Sequence, residues 1–337
     1  MAALRVEWHP RSARLRGTPS AKITGVSPLA SHLFVLALLA GAASQPTPQA
    51  KRYVEITDAE MNAVERAGRE YVTVLAKAVR AAPGVDEPAR AALAGLLDGH
   101  ERRENDGSTL ASSELAGAFE TWTSATRRLG PQLRTDALLL ADRVLEIVSR
   151  RAAIGPDPPY ATRVRLAGAE FQYEPLGGGY VYGHTFLRQA RGLAPPGPAR
   201  DRVLLREMEI GFDYRGQCSG GDDVTAKVIA AGEALLRRSK DPRVRASAHL
   251  VIADAHATIV ALARGDAADY FDTSAYGRRE KNARREAIAH YRAGLAIDPN
   301  PPDAELVRRD LQRLLDGAAP GLAGGAARLR IFYCVYD

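Results

Sequence analysis

From Thr57 onward, apolar positions recur every three or four residues in segments punctuated by glycine and proline, which is the pattern of helices with one buried face. Thr57 and Glu60 have the spacing of a capping box, with Ile56 and Met61 placed as a hydrophobic staple around it. A helix is expected from there to about Arg80, where Pro83 and Gly84 stop it. Asp86 followed by Pro88 opens a second helix that reaches Leu97, and the polar stretch Glu101 to Gly107 reads as a loop. A third helix from about Ser112 carries Leu115, Phe119, Trp122 and Leu129 and ends at Gly130-Pro131. In a fourth, Leu133, Ala137, Leu140, Val144 and Val148 form an apolar stripe. Residues 57–155 therefore read as a four-helix unit.

The period changes after Gly155. From Tyr160 to about His184 the chain is richer in aromatic and β-branched residues, and Phe171 and Tyr173 mirror Tyr180 and Tyr182 across Gly177-Gly178-Gly179. A short β-hairpin closed by a glycine turn is expected within a connecting segment, 156–198. The three glycines are not a nucleotide loop: no Lys-Ser or Lys-Thr follows them, and no long strand precedes. Helical periodicity returns at about 200–211, 223–239, 243–263, 281–297 and 303–315. In the tail, 318–337, Ile331, Tyr333 and Val335 alternate with Phe332, Cys334 and Tyr336 as a strand would.

Within the last long helix pair, Ala287, Tyr291, Gly294 and Pro299 follow a recognisable spacing: a small residue, an aromatic four later, a small residue three later, and a proline five beyond. This resembles the second-helix half of a tetratricopeptide repeat. A fainter copy holds Ala230, Ala234 and Pro242 but has Arg237 where a small residue belongs, and Ile252 to His256 is similar to a first-helix core. The two prolines are 57 positions apart against about 34 for the family, so Arg264 to Lys281 is read as an insertion. The resemblance covers residues 199–317. It implies TPR-like antiparallel helix pairs, an α-α superhelix, that bind a protein or peptide. Under one register the candidate partner-binding residues His249 and His256 line the groove; under the other they pack between helices. Seven residues apart on one helix, roughly 10 Å along its axis, the two cannot share a metal ion. The fold expected is mainly α, with an N-terminal four-helix unit, a small central β-hairpin and C-terminal TPR-like helix pairs.

Aromatic residues are only 6% of a chain that is 46% apolar, in keeping with closely packed helices rather than a strand-rich sandwich. The formal charge is +6, but its distribution matters more. Residues 1–44 hold Arg5, Arg11, Arg14, Arg16 and Lys22 against Glu7, leaving 41 basic and 39 acidic residues in the body. No clustered basic footprint remains, which argues against nucleic acid as a partner. The same 44 residues end in the apolar run Leu33 to Leu39 and the small residues Ala40 to Ser44, the pattern of a secretory signal peptide with cleavage near Ala43 or Ser44. The run is far short of the roughly 20 residues that span a bilayer, so no permanent membrane span is expected in the mature chain. Residues 45–56, with two prolines, read as a linker.

Export to an oxidising compartment would allow a bridge between Cys218 and Cys334, and two unrelated thiols are an equally open alternative. Neither cysteine has the histidine spacing of a zinc site. Asp266, Asp269 and Asp272 lack the alternate ligands, glycine and closing glutamate of a calcium loop. No metal or cofactor is expected, and neither a serine-hydrolase elbow nor a dinucleotide fingerprint is present. Three functions remain: an exported, non-catalytic scaffold for a protein or peptide partner; an envelope assembly factor acting through the N-terminal bundle; and a hydrolase built on His184 and the loop Cys218 to Asp223.

Overall fold

A computed structural model describes residues 58–155, 162–174, 179–213, 222–264 and 274–320. Cys218 and Cys334, the leader and its cleavage site, the aspartates of the insertion and the C-terminal strand segment lie outside these residues, so their expectations are not addressed by it. The chain is mainly helical with one small antiparallel sheet. The first helices are α1 (Asp58–Arg80), α2 (Glu87–Asp98), α3 (His100–Asp106), α4 (Ser112–Thr126) and α5 (Pro131–Val148). Next come β1 (Arg163–Leu166), β2 (Ala169–Glu174) and β3 (Gly179–Tyr182), followed by α6 (Thr185–Leu193) and α7 (Pro198–Glu209). The last part comprises α8 (Asp222–Arg238), α9 (Pro242–Ala263), the four-residue α10 (Ser274–Gly277), α11 (Glu280–Ile297) and α12 (Ala304–Leu315).

Helix starts follow local chemistry. The Asp86 carboxylate accepts the Ala89 amide at the head of α2, and Asp241 accepts the Arg243 and Val244 amides at the head of α9. Proline stands in the first turn of α2, α5, α7 and α9, where its missing N–H costs nothing. The expected loop at Glu101 to Gly107 is instead the short helix α3. Its composition is polar, but the Arg103 guanidinium turns inward, is buried, and donates to the Leu96 carbonyl at 3.0 Å, where that group supports another turn before Gly107 ends it.

Three corrections concern the segment 156–198. The hairpin is as expected in register, with Phe171 opposite Tyr182 and Tyr173 opposite Tyr180, but β1 extends it to a three-stranded meander. The missed turn is Ala167-Gly168, where both residues take positive φ (54° and 77°), a conformation with little sequence signature when only one of them is glycine. The chain then forms α6, packed on α5. One core joins α1, α2, α4 and α5 to the inner sheet face (Ala169, Phe171, Tyr182), to Phe186, Leu187 and Ala190 of α6, and to Val203 of α7. Phe119 of α4 stacks on Phe186 at 5.7 Å. In α5 the buried face is centred on Ala137, Ala141, Val144, Leu145 and Val148, while Leu133, at the head of the expected stripe, is 38% exposed.

The second half is organised around α9, which packs against α7, α8, α10 and α11. By length and composition α9 is apolar enough to cross a membrane, yet most of it is covered by those helices. A helix apolar on every side belongs at the centre of a helical stack. Two glycines set how closely its neighbours come. A Cβ on Gly232 of α8 would stand 2.4 Å from Ile252 Cγ1, and one on Gly294 of α11 would stand 2.6 Å from Leu250 Cδ2 and 3.2 Å from the Ala246 carbonyl oxygen. Tyr291, fully buried beside Gly294, donates its hydroxyl to Asp254 at 2.5 Å. Finally α12 packs on α1, bringing the last described helix back to the first through Ala63, Ala67 and Leu306.

Candidate functional site

Three clusters of polar groups stand out, and they differ in what they can do. The first is the cleft between α1 and α12, about 640 Å³ in volume. Its α1 wall is Arg66, Arg69, Glu70, Thr73, Val74 and Lys77, one face of the helix at three- and four-residue spacing. Opposite lie Asn300, Pro301, Pro302, Ala304, Glu305 and Arg308. Arg66 links the two walls with a solvent-exposed, two-pronged bond to Glu305, at 2.6 and 3.3 Å. Arg308 donates to the Pro299 carbonyl and to Asn300, which fixes the turn before α12. Across both walls four cations stand against two carboxylates, and Arg69 also lies 3.9 Å from Glu65 and 4.0 Å from Glu101 beside the cleft. Val74, 45% exposed, stands among them, so the cleft combines apolar surface with positive charge.

The second cluster unites the sequence-selected His249 and His256 with His290, which no sequence signal had marked. All three are half-buried. The rings of His249 and His256 meet α11: Nδ1 of His249 lies 3.0 Å from Nδ1 of His290, and the His256 ring centroid is 6.2 Å from that of His290. The buried Nδ1 of His256 has no hydrogen-bond partner among the described residues. His290 is four residues after Glu286, so both lie on one face of α11, one turn apart. Burial, His290 and Arg245 push the His249 imidazole down to about 4; burial and His290 push His256 to about 4 against the attraction of Glu286. Burial also lowers His290, opposed by Glu286 and Glu233. Among the described residues no three His, Cys, Asp or Glu side chains are arranged to hold one metal ion.

The third cluster is a buried charge network centred on Asp142 of α5. His184, at a left-handed φ of 49° just before α6, approaches one carboxylate oxygen through Nδ1 at 3.2 Å, and Arg206 of α7 donates Nε to the other at 2.9 Å. Arg206 also pairs with Glu146 and Glu209, and Arg143 joins Glu209 at 2.7 Å to the Tyr71 hydroxyl at 2.9 Å. Burial alone would raise the Asp142 carboxyl; Arg206 and His184 outweigh it and hold it far below the usual carboxylate range. Glu209 is likewise raised by burial but brought down on balance by Arg143 and Arg206. His184 is 1% exposed. The network therefore ties α1, α5, α6 and α7 together from inside and presents its imidazole to the interior, while Cys218, the nucleophile of the hydrolase reading, lies outside the described residues.

Compared with known proteins, the chain matches no family model, and no curated protein or solved structure shows significant similarity to it.

Proposed function

We propose that the protein is an exported, non-catalytic helical scaffold that binds a protein or peptide partner, with α8, α9, α11 and α12 stacked as TPR-like antiparallel pairs. The observation that carries this reading is the α1–α12 cleft, of peptide size, open to solvent, with exposed Val74 and two prolines set among four cations. Such a surface suits an extended acidic segment, because positive charge steers encounter and partly apolar walls supply the desolvation that holds the complex. The spacing of Ala287, Tyr291 and Gly294 supports the repeat-like stacking, since all three are buried in the close approach of α11 to α9.

Export predicts a mature chain in the cell envelope or medium, shorter by the first 43 or 44 residues, which intact mass measures directly. Binding is tested by a photo-crosslinking side chain placed at Val74 and, as a control, at the similarly exposed Leu133 of α5. Crosslinking of one partner from Val74 alone, lost when Arg69 and Lys77 are both changed to Glu, is the expected outcome. Equal labelling from both positions, or labelling that survives the double charge reversal, would refute the cleft as the binding surface.

A further inference from the structure

The contact between α9 and α11 holds a second feature, independent of the cleft. His249 and His290 face each other from two helices with their Nδ1 atoms 3.0 Å apart and their rings tilted by 47°. Two neutral imidazoles at this distance can share a single proton. The same separation is also the edge of a metal coordination shell: two nitrogens each about 2.0–2.1 Å from a common ion, and 3.0 Å from each other, subtend an angle of roughly 91–97°, nearer a six-coordinate or square-planar edge than a tetrahedral one. We propose that His249 and His290 are a two-imidazole chelating site for a divalent transition metal ion, which clamps α9 to α11 and leaves its remaining coordination positions to water or an incoming ligand.

Three observations support the site. The backbones around it are held close: Gly294, one turn beyond His290, packs on Leu250, the neighbour of His249, so the two rings are brought together by the helix crossing rather than by flexible stems. Carboxylates face the position from two elements, Glu286 one turn before His290 and Glu233 on α8, and both favour positive charge at His290; Arg245 opposes it at His249, and Arg279 opposes it at His256. A third imidazole, His256, lies on the far side of His290 with its buried Nδ1 unpartnered, which makes the surroundings richer in nitrogen donors than a helix contact needs. Imidazole donors select zinc, copper or nickel over magnesium and calcium. With two protein donors rather than three or four, the site is open, unlike the closed four-ligand shell of a structural zinc site.

The test is calorimetric titration of zinc chloride, and separately of calcium chloride, into the full chain made without an affinity tag and stripped with a chelator. One zinc ion per chain is expected, calcium is expected to give no heat, and a ligand that binds only the folded state should raise Tm, by about 5 °C at a hundredfold excess over Kd. His249→Asn and His290→Asn should each weaken zinc by more than the ~10–100-fold that loss of an outer-shell partner costs, whereas His100→Asn, on α3, should change nothing. Nitrogen NMR of the wild-type imidazoles guards against variants that fail to fold: zinc should shift the ring signals of His249 and His290 together. Zinc that binds either single variant as well as the wild type, no zinc binding at all, or ring shifts confined to other histidines would overturn the proposal and leave the pair as a hydrogen bond between neutral rings.

Discussion

At the scale of single residues, Asp142 is the position on which most depends. It is fully buried, and its carboxylate is addressed by both His184 and Arg206. Removing one member of a buried ion pair strands the other, at about 3–5 kcal/mol. Asp142→Ala should therefore lower the unfolding free energy measured in urea by an amount of that order, and Asp142→Asn by less, because the amide oxygen still accepts. The titration follows from the same contacts. Asp142 and Glu209 have depressed folded values, so their stabilisation is fully present above the unfolded carboxylate range, near pH 4, and is lost as pH falls through the lower folded values. The histidines act earlier. His249 and His256 titrate near 4 in the fold but near 6.5 when unfolded, so the unfolded chain takes up protons first and stability declines as pH falls from about 6.5 to about 4. In chelator, thermal unfolding should shift downward between pH 7.5 and pH 5, and His256→Leu should flatten that slope; a pH-independent Tm over the range would contradict it. The sequence singled out His184 as a hydrolase candidate beside the Cys218 loop, and His249 and His256 as groove candidates, but not the buried network: Asp142 lay among the polar positions of an amphipathic helix and Arg206 was one of many arginines, since their meeting depends on contacts across 42 and 64 positions.

At the scale of elements, helix packing explains why some glycines are needed and others are not. Alanine is favoured over glycine inside a helix by about 0.8–1 kcal/mol, and overpacking a tight contact costs about 1–3 kcal/mol. Gly294 meets a backbone oxygen, which cannot move aside without shifting α9. Gly294→Ala should thus be net destabilising by about 1 kcal/mol, whereas Gly95→Ala in α2, where nothing lies within 4 Å, should be stabilising by a similar amount in the same denaturation assay. The helices themselves were largely readable. The expected 243–263 and 281–297 are α9 and α11 to within a residue, because proline and Asp241 mark one start and Pro299 follows one end. Elements whose cause is tertiary were not readable. Arg103 sustains α3 by reaching a carbonyl of α2, and α6 is placed by burial of Phe186 and Leu187 rather than by a cap of its own.

At the scale of the whole molecule, the contact of α12 with α1 means the helices do not end in an open edge on that side. Leu306, with Ala63 and Ala67, forms a small apolar seam beneath an exposed ion pair. The seam rather than the pair should hold the two ends together, since solvent-exposed pairs add little. Leu306→Ala should cost about 2 kcal/mol, the low end for a buried leucine, and should speed amide hydrogen exchange in both α1 and α12. Faster exchange in α12 alone would show that α1 is not held by it.

The sequence by itself determined the helical class, most helix boundaries, the aromatic register of the β2–β3 hairpin and the small-aromatic-small spacing of α11. These are local matters, set by periodicity, capping residues and turn glycines within a few positions of one another. Only the tertiary structure decided that the central segment joins the N-terminal core, that a third histidine comes between the two on α9, that Asp142 has buried partners, and that the last helix closes on the first. Each of these depends on long-range packing, in which helices meet according to their shapes, and a sequence read along one dimension carries that information only in sum.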